Sequence, residues 1–203
     1  MKNKITIIDY GMGNLYSVVN ALSSLGAEPV VTSDRKEIMA AEKIILPGVG
    51  AFGDCMANLT KAGLVPVIKE LLASGKPFLG ICLGMQLLFE GSEEAPGVPG
   101  LGYFKGQVKY LSTSLKVPHM GWNKLELRSP SPLLEDADGK YVYFVHSYHA
   151  EPADKSIITA VCDYGMEVTA SIGQGNVQAF QFHPEKSSRA GLSLLKAFKE
   201  WQV

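Results

Sequence analysis

The segment Lys76-Pro77-Phe78-Leu79-Gly80-Ile81-Cys82-Leu83-Gly84-Met85-Gln86 sets a cysteine between two glycines, where a short apolar run passes into a helical pattern. A strand that turns sharply into a helix leaves the middle side chain standing at the strand's end, the layout of a nucleophile elbow with cysteine in place of serine. The glycines would let the backbone turn and let neighbouring elements approach. The helix that starts there aims free N–H groups and the positive end of its dipole at the sulfur, which favours thiolate and can bring a thiol pKa to about 3.5–7.5. The competing reading is a buried, inert thiol, the usual fate of a free cysteine. The segment by itself leaves both open.

A thiolate nucleophile needs a base and a group to orient it. The chain has four histidines, His119, His146, His149 and His183. His183 follows an apolar run and opens Phe182-His183-Pro184-Glu185-Lys186-Ser187. Strand ends are where α/β sheets present functional groups, and Glu185 is placed to hold the imidazole tautomer and stabilise imidazolium. Alone, His183 reads as a satisfied core or surface histidine; beside Cys82 it completes a Cys–His–acid set. An oxyanion hole is available from the N–H of Leu83 and from Pro47-Gly48-Val49-Gly50, whose glycines let the backbone turn an N–H toward the site, although the same four residues also read as an ordinary turn. One such donor is worth about 10²–10³ in rate. Gly11-Met12-Gly13 resembles a dinucleotide turn but has Tyr16 where the third glycine belongs, and no phosphate-loop lysine exists. His119, His146 and His149 do not make a metal set, because strand residues i and i+3 face opposite ways. Cys55 and Cys162 read as packing residues, and no cofactor is called for.

Elements that would position these residues alternate through the first half of the chain. Strands are expected at 5–9, 29–32, 43–46 and 77–81, the first a β-branched run suited to burial on both faces. Asn14 can cap a helix carrying Leu15, Val18, Val19, Leu22 and Leu25 on one face, with Gly26 ending it. Asp34 caps a short helix, one helix occupies 54–72 and another 83–90. This rhythm implies a parallel sheet with right-handed crossovers. Residues 93–102 form a surface loop rich in Gly, Pro and Glu. Closely spaced strands at 108–111, 124–127, 141–145, 157–161, 168–171 and 177–182 leave little room for helices and imply an antiparallel layer. Leu192, Leu194, Leu195, Phe198 and Trp201 give an amphipathic closing helix.

The chain has 203 residues, 46% of them hydrophobic, with 19 Lys and Arg against 20 Asp and Glu. That is enough for one sizeable core, and one domain spanning 1–203 is expected. A net charge of −1 leaves no footprint for nucleic acid or for an anionic membrane. Three widely spaced cysteines without a CxxC argue for a reducing cytoplasm. The uncharged run 77–89 is far short of the ~20 residues that span a bilayer. Lys2 and Lys4 precede too few apolar residues for a signal peptide.

Gly80 to Gln86, Pro47 to Gly50 and Phe182 to Glu185 resemble class I (triad) glutamine amidotransferases. Asp9-Tyr10-Gly11-Met12-Gly13-Asn14-Leu15, Val117-Pro118-His119-Met120-Gly121-Trp122-Asn123 and Tyr143-Phe144-Val145-His146-Ser147-Tyr148 are similar to the branch of glutaminase subunits of imidazole glycerol phosphate synthase, the HisH family. The resemblance runs end to end. It implies a flavodoxin-like three-layer α/β fold, its central sheet mostly parallel with a small antiparallel extension. It also implies hydrolysis of L-glutamine through a glutamyl thioester on Cys82, with His183 and Glu185 completing the triad. Val49, Gly50 and Leu83 would form the oxyanion hole, and Gly48, Gln86, Glu94, Ser147 and Tyr148 would bind substrate. The implied partner is the cyclase subunit HisF, a (β/α)₈ barrel that receives the ammonia in a heterodimer and makes imidazole glycerol phosphate and AICAR for histidine biosynthesis. Asn14, His119, Met120, Trp122, Asn123, Tyr143 and Lys186 would form that interface, although Trp122 also reads as a core tryptophan. Rival functions are a glutaminase subunit of pyridoxal 5′-phosphate synthase, a stand-alone thiol hydrolase of γ-glutamyl substrates, and a non-catalytic module that binds a partner barrel.

Overall fold

Alternate residues of each central strand feed opposite cores. A computed structural model describes residues 4–203, which leaves Lys2 of the signal-peptide argument outside it. In β1 (Lys4–Ile8), Ile5 and Ile7 enter one apolar cluster and Ile8 the other. The same alternation holds in β3 (Ile44–Gly48), where Ile44 and Leu46 face one way and Ile45 the other. Period-2 side chains on a strand buried on both faces require a layer of helices on each side.

One layer is α3 (Phe52–Lys61) and α4 (Val65–Ala73), with Ile38 of α2 (Arg35–Met39). The other is α1 (Leu15–Ser24) and the closing helix α6 (Ser188–Glu200), through Val18, Leu22, Leu194, Leu195 and Phe198. Fully burying each such side chain contributes about 1.5–3 kcal/mol. With β2 (Glu28–Thr32), β4 (Phe78–Cys82), β7 (Glu126–Leu127), β10 (Ile158–Asp163), β11 (Glu167–Gln174) and β12 (Val177–Phe180), the sheet runs β2-β1-β3-β4-β12-β11-β10-β7. The first five strands are mutually parallel and the last three extend the sheet antiparallel. This is the expected three-layer architecture. Among the described residues no helix is long and apolar enough to cross a membrane.

Local signals act as read at several points. The Asn14 side chain accepts from Ser17 N, and Asp34 accepts from Lys36 N and Glu37 N. Gly26, at φ +70°, ends α1 with Ala27 N donating to Leu22 O and Gly26 N to Ser23 O, a Schellman stop. Three expectations need correction. The single helix over 54–72 is two, because Gly63 at φ +66° makes a second Schellman stop, with Leu64 N to Leu59 O and Gly63 N to Thr60 O. The helix expected over 83–90 stops at Gln86: α5 spans Leu83–Gln86. Beyond it, the carbonyls of Leu87, Leu88, Phe89 and Glu90 accept from Leu101, Phe104, Gly102 and Gly100, so the following loop takes the acceptors that would otherwise face helical N–H groups. Finally, β6 (His119–Lys124) and β9 (Tyr148–Pro152) were not foreseen as strands. They pair with β8 (Tyr141–His146) and β5 (Gly106–Tyr110) in two separate antiparallel ribbons.

Candidate active site

The sharp turn expected of the glycines is taken by Cys82 itself, at φ +55° and ψ −112°. A non-glycine residue held there costs of order 1–3 kcal/mol and persists only where its surroundings fix it. Gly80 and Gly84 supply room instead. A Cβ on Gly84 would lie 1.9 Å from Leu46 O, and one on Gly80 would lie 3.0 Å from Gly84 O. α5 therefore sits directly on the ends of β3 and β4, with Cys82 at the junction and the first N–H groups of the helix beside it. Those N–H groups have no acceptor within the helix.

Cys82 opens into a cleft of about 280 Å³ lined by Val49, Gly50, Leu83, Gln86, Glu94, Pro118, Val145, His146, Ser147, Tyr148 and His183. Sequence expectation named Val49, Gly50, Leu83, Gln86, Glu94, Ser147, Tyr148 and His183, and the fold brings them together. Gly48 does not line the cleft. It pairs with Cys82 across β3–β4, where an added Cβ would meet Gly84 N at 2.8 Å and Leu83 Cβ at 2.9 Å, so its place is packing.

His183 follows β12 and its Nδ1 lies 2.8 Å from Glu185 Oε1, both side chains almost fully buried. With Nδ1–H given to the carboxylate, Nε2 has no hydrogen-bond partner among the described residues. Burial works against charging this ring, yet Cys82 and Glu185 together outweigh it and push its pKa up to about 10. The pair thus favours imidazolium next to a sulfur anion.

The Pro47–Gly50 turn is tied down from below. The buried Tyr10 hydroxyl donates to Pro47 O at 2.9 Å, and Cys55 Sγ, 3.5 Å from that hydroxyl, donates to Val49 O at 3.6 Å. Burial pushes the Cys55 thiol up to about 11, so it stays a neutral donor. Because the peptide is planar, fixing Val49 O toward Cys55 leaves Gly50 N–H on the opposite side. Cys55 is therefore more than the packing residue expected from the sequence. Glu94 lines the cleft while its Oε2 accepts from Phe52 N at 2.8 Å, satisfying the first turn of α3.

The expected interface residues divide. Met120 and Trp122 are 61% and 50% exposed on the outer face of the β6–β8 ribbon, so Trp122 is not a core tryptophan. Tyr143, opposite Trp122 in register, packs edge-on against it at 6.2 Å, and Lys186 is exposed in the turn of the triad. His119 is not a surface group. It is 2% exposed and stacked between Phe144 and Tyr164. Asn123 is half-buried and bonded to His119 Nε2 and Asp163 O, and Asn14 is occupied as a helix cap. Sequence reasoning missed Gln181, fully buried with Nε2 3.8 Å from Cys82 Sγ. One signal was available: residues i and i+2 of a strand share a face, which puts Gln181 with His183. Among the described residues no group of three or more His, Cys, Asp or Glu could hold a metal ion.

A cysteine strained at a strand end, facing a buried histidine–carboxylate pair in an amino-acid-sized cleft, is a site for thiolate attack on a carbonyl. The family model described as glutamine amidotransferase class-I matches residues 6–200. The chain belongs to the class-I glutamine amidotransferase family. This amidotransferase is 53% identical over 196 residues to the imidazole glycerol phosphate synthase subunit HisH of Bacillus cereus (strain G9842), covering 96% of this chain and 93% of that protein. It is 52% identical over 205 residues to the HisH of Geobacter sulfurreducens, covering 97% and 98%, and 51% identical over 198 residues to that of Aquifex aeolicus, covering 97% and 96%. In fold, the amidotransferase is similar to a solved PurLQS structure from Thermotoga maritima, at TM-score 0.76 and 21% identity over 98% of each chain. A structure titled as a glutamine amidotransferase gives TM-score 0.75 at 20% identity, over 95% of this chain and 98% of the other.

Proposed function

We propose that the chain is the glutaminase subunit of imidazole glycerol phosphate synthase, working in the cytoplasm, and that the cleft at Cys82 is where glutamine is hydrolysed. Cys82 thiolate attacks the side-chain amide carbon, and the carbonyl oxygen becomes an oxyanion held by Leu83 N–H and the Val49–Gly50 turn. Imidazolium His183 gives its proton to the departing amine, ammonia leaves, and a thioester remains. Neutral His183 then takes a proton from water as it attacks the thioester; the thiolate is expelled and glutamate is released. Glu185 holds the ring so that Nε2 is the atom that shuttles the proton. Gln86 offers Oε1 to the substrate, since its Nε2 is bonded to Tyr148 O and Gln181 Oε1. Glu94, Ser147 and Tyr148 complete the binding wall.

The single observation that carries this reading is Cys82, forced to positive φ beside the His183–Glu185 pair. The ammonia passes to a partner subunit, for which we infer the cyclase HisF, a (β/α)₈ barrel. Met120, Trp122 and Tyr143 make a patch of one methionine and two aromatic side chains on the ribbon whose Val145, paired with Met120, lines the cleft, the kind of anchor found at the centre of protein interfaces. The test is Cys82→Ser in the reconstituted heterodimer. Loss of glutamine-dependent synthesis with ammonia-dependent synthesis retained supports the reading, whereas retention of glutamine-dependent synthesis overturns it.

A further inference from the structure

A continuous run of hydrogen bonds, each with its direction fixed, ends on the sulfur of Cys82. The fixed point is the backbone carbonyl of Tyr148, which can only accept. Gln86 Nε2 lies 2.9 Å from it, so that atom is the nitrogen of the amide and not its oxygen. The same nitrogen lies 3.0 Å from a Gln181 side-chain atom, which must then be the acceptor, Oε1. Gln181 is left with its Nε2 toward Cys82 Sγ, at 3.8 Å.

The carbonyl's second lone pair orders the other arm. His146 Nδ1 lies 2.8 Å from Tyr148 O and carries the hydrogen, which makes Nε2 an acceptor. His119 Nδ1, 3.0 Å away, is therefore the donor, and its Nε2 accepts from Asn123 Nδ2 at 3.3 Å. No member of either arm has a free choice of tautomer or amide orientation.

We infer that Gln181 is a positioning residue for the nucleophile, directing an N–H at the Cys82 sulfur to hold its rotamer and favour the thiolate. The inference rests on Cys82 as nucleophile. Gln181 is fully buried, and its backbone N–H, 2.9 Å from Ala170 O, anchors it to β11. The titratable groups whose charges reach Cys82 are His183 from the turn after β12, Tyr10 from the loop after β1 and Cys55 from α3. Gln181 acts without charge, so its contribution does not vanish when any of them titrates. Donation to a charged acceptor is the stronger class of hydrogen bond, and it stabilises the anion at the expense of the thiol.

The test is the pH dependence of Cys82 alkylation by iodoacetamide in the full-length chain, read by mass spectrometry. Cys55 and Cys162 are fully buried, which leaves Cys82 as the reactive thiol. Gln181→Met keeps the side-chain length and removes the donor. It is expected to raise the alkylation midpoint by about one to two pH units and to cut glutamine turnover in the assembled complex about ten-fold or more at neutral pH, with recovery as pH rises. Gln181→Asn withdraws the donor while staying polar, and serves if the first variant does not fold. A folded variant with the wild-type midpoint overturns the inference and makes Gln181 a packing group. Full glutaminase activity after stoichiometric alkylation of Cys82 would instead sink the nucleophile assignment, a different failure from an unmoved midpoint.

Discussion

His183 Nδ1 and Glu185 Oε1 are 2.8 Å apart across a single turn, with 3% and 2% of their side chains exposed. An ion pair this dry depends on both partners, because removing one charge leaves the other buried without compensation. Glu185→Gln is therefore expected to lower kcat for glutamine hydrolysis by about 10²–10⁴, with secondary structure by circular dichroism unchanged. The substitution also has a pH signature. The pKa of His183 is raised from 6.5 to about 10, so the stability it gives wild type is complete below about 6.5 and lost as pH rises through about 10. The difference in unfolding free energy between wild type and Glu185→Gln should shrink across that window; a constant difference would mean the pair is not charged.

Cys82 makes a second prediction through its backbone. In ordinary strands and helices glycine is less stable than alanine. At φ +55° the order should invert, so that Cys82→Gly unfolds at higher urea than Cys82→Ala by about 1 kcal/mol or more in free energy. Both variants are inactive, which makes equilibrium unfolding the measurement and removes substrate binding as a complication.

Acid should loosen the fold through two histidines. Burial lowers the pKa of His119 from 6.5 to about 4; for His146 burial, opposed by the Tyr148 carbonyl and assisted by neighbouring histidines, lowers it to about 3. From about 6.5 down to those values the unfolded chain binds more protons than the folded one, so stability falls as pH falls. His119→Phe, whose ring can occupy the stack between Phe144 and Tyr164, is expected to start less stable at neutral pH but to lose less on acidification. Urea midpoints measured near pH 7 and near pH 5 compare the two slopes.

Trp122 touches Tyr143 and is otherwise half-exposed, so its removal costs the fold little. Trp122→Ala should leave the melting temperature almost unchanged while raising the dissociation constant for the partner subunit by about 30-fold, the effect of a hot spot worth ~2 kcal/mol. Titration calorimetry of the two subunits distinguishes this from a rim contact, for which the change would be less than about five-fold.

Much of the sheet was readable because its strands are short apolar runs between glycine turns, and because Asn14, Asp34 and Gly26 act locally. Cys82, His183 and Glu185 were readable for a similar reason: Cys82 ends β4 between two glycines, and His183 and Glu185 flank Pro184 in the turn that follows β12. What escaped depends on contacts distant in sequence. β6 contains Gly121 and Asn123, which lower its strand propensity, and it exists through pairing with β8 rather than through its own pattern. α5 stops at Gln86 because residues 100–104 occupy the carbonyls beyond it, which no local signal announces. His119 is one of the residues for which the resemblance implies a place in the interface, beside Met120 and Trp122, which are surface. Strand alternation turns it the other way, and alternation becomes visible only once the strand is known. Gln181 was hidden between Phe180 and Phe182, where a glutamine reads as an interruption rather than as a contact to a residue 99 positions away.

The backbone of Tyr143 accepts from His183 N through its carbonyl and donates to Ser187 Oγ through its N–H, while its side chain lies on the outer face beside Trp122. One peptide unit thus separates the surface from the base. The exposed face of the ribbon and the turn that carries the base therefore meet in a single residue, Tyr143.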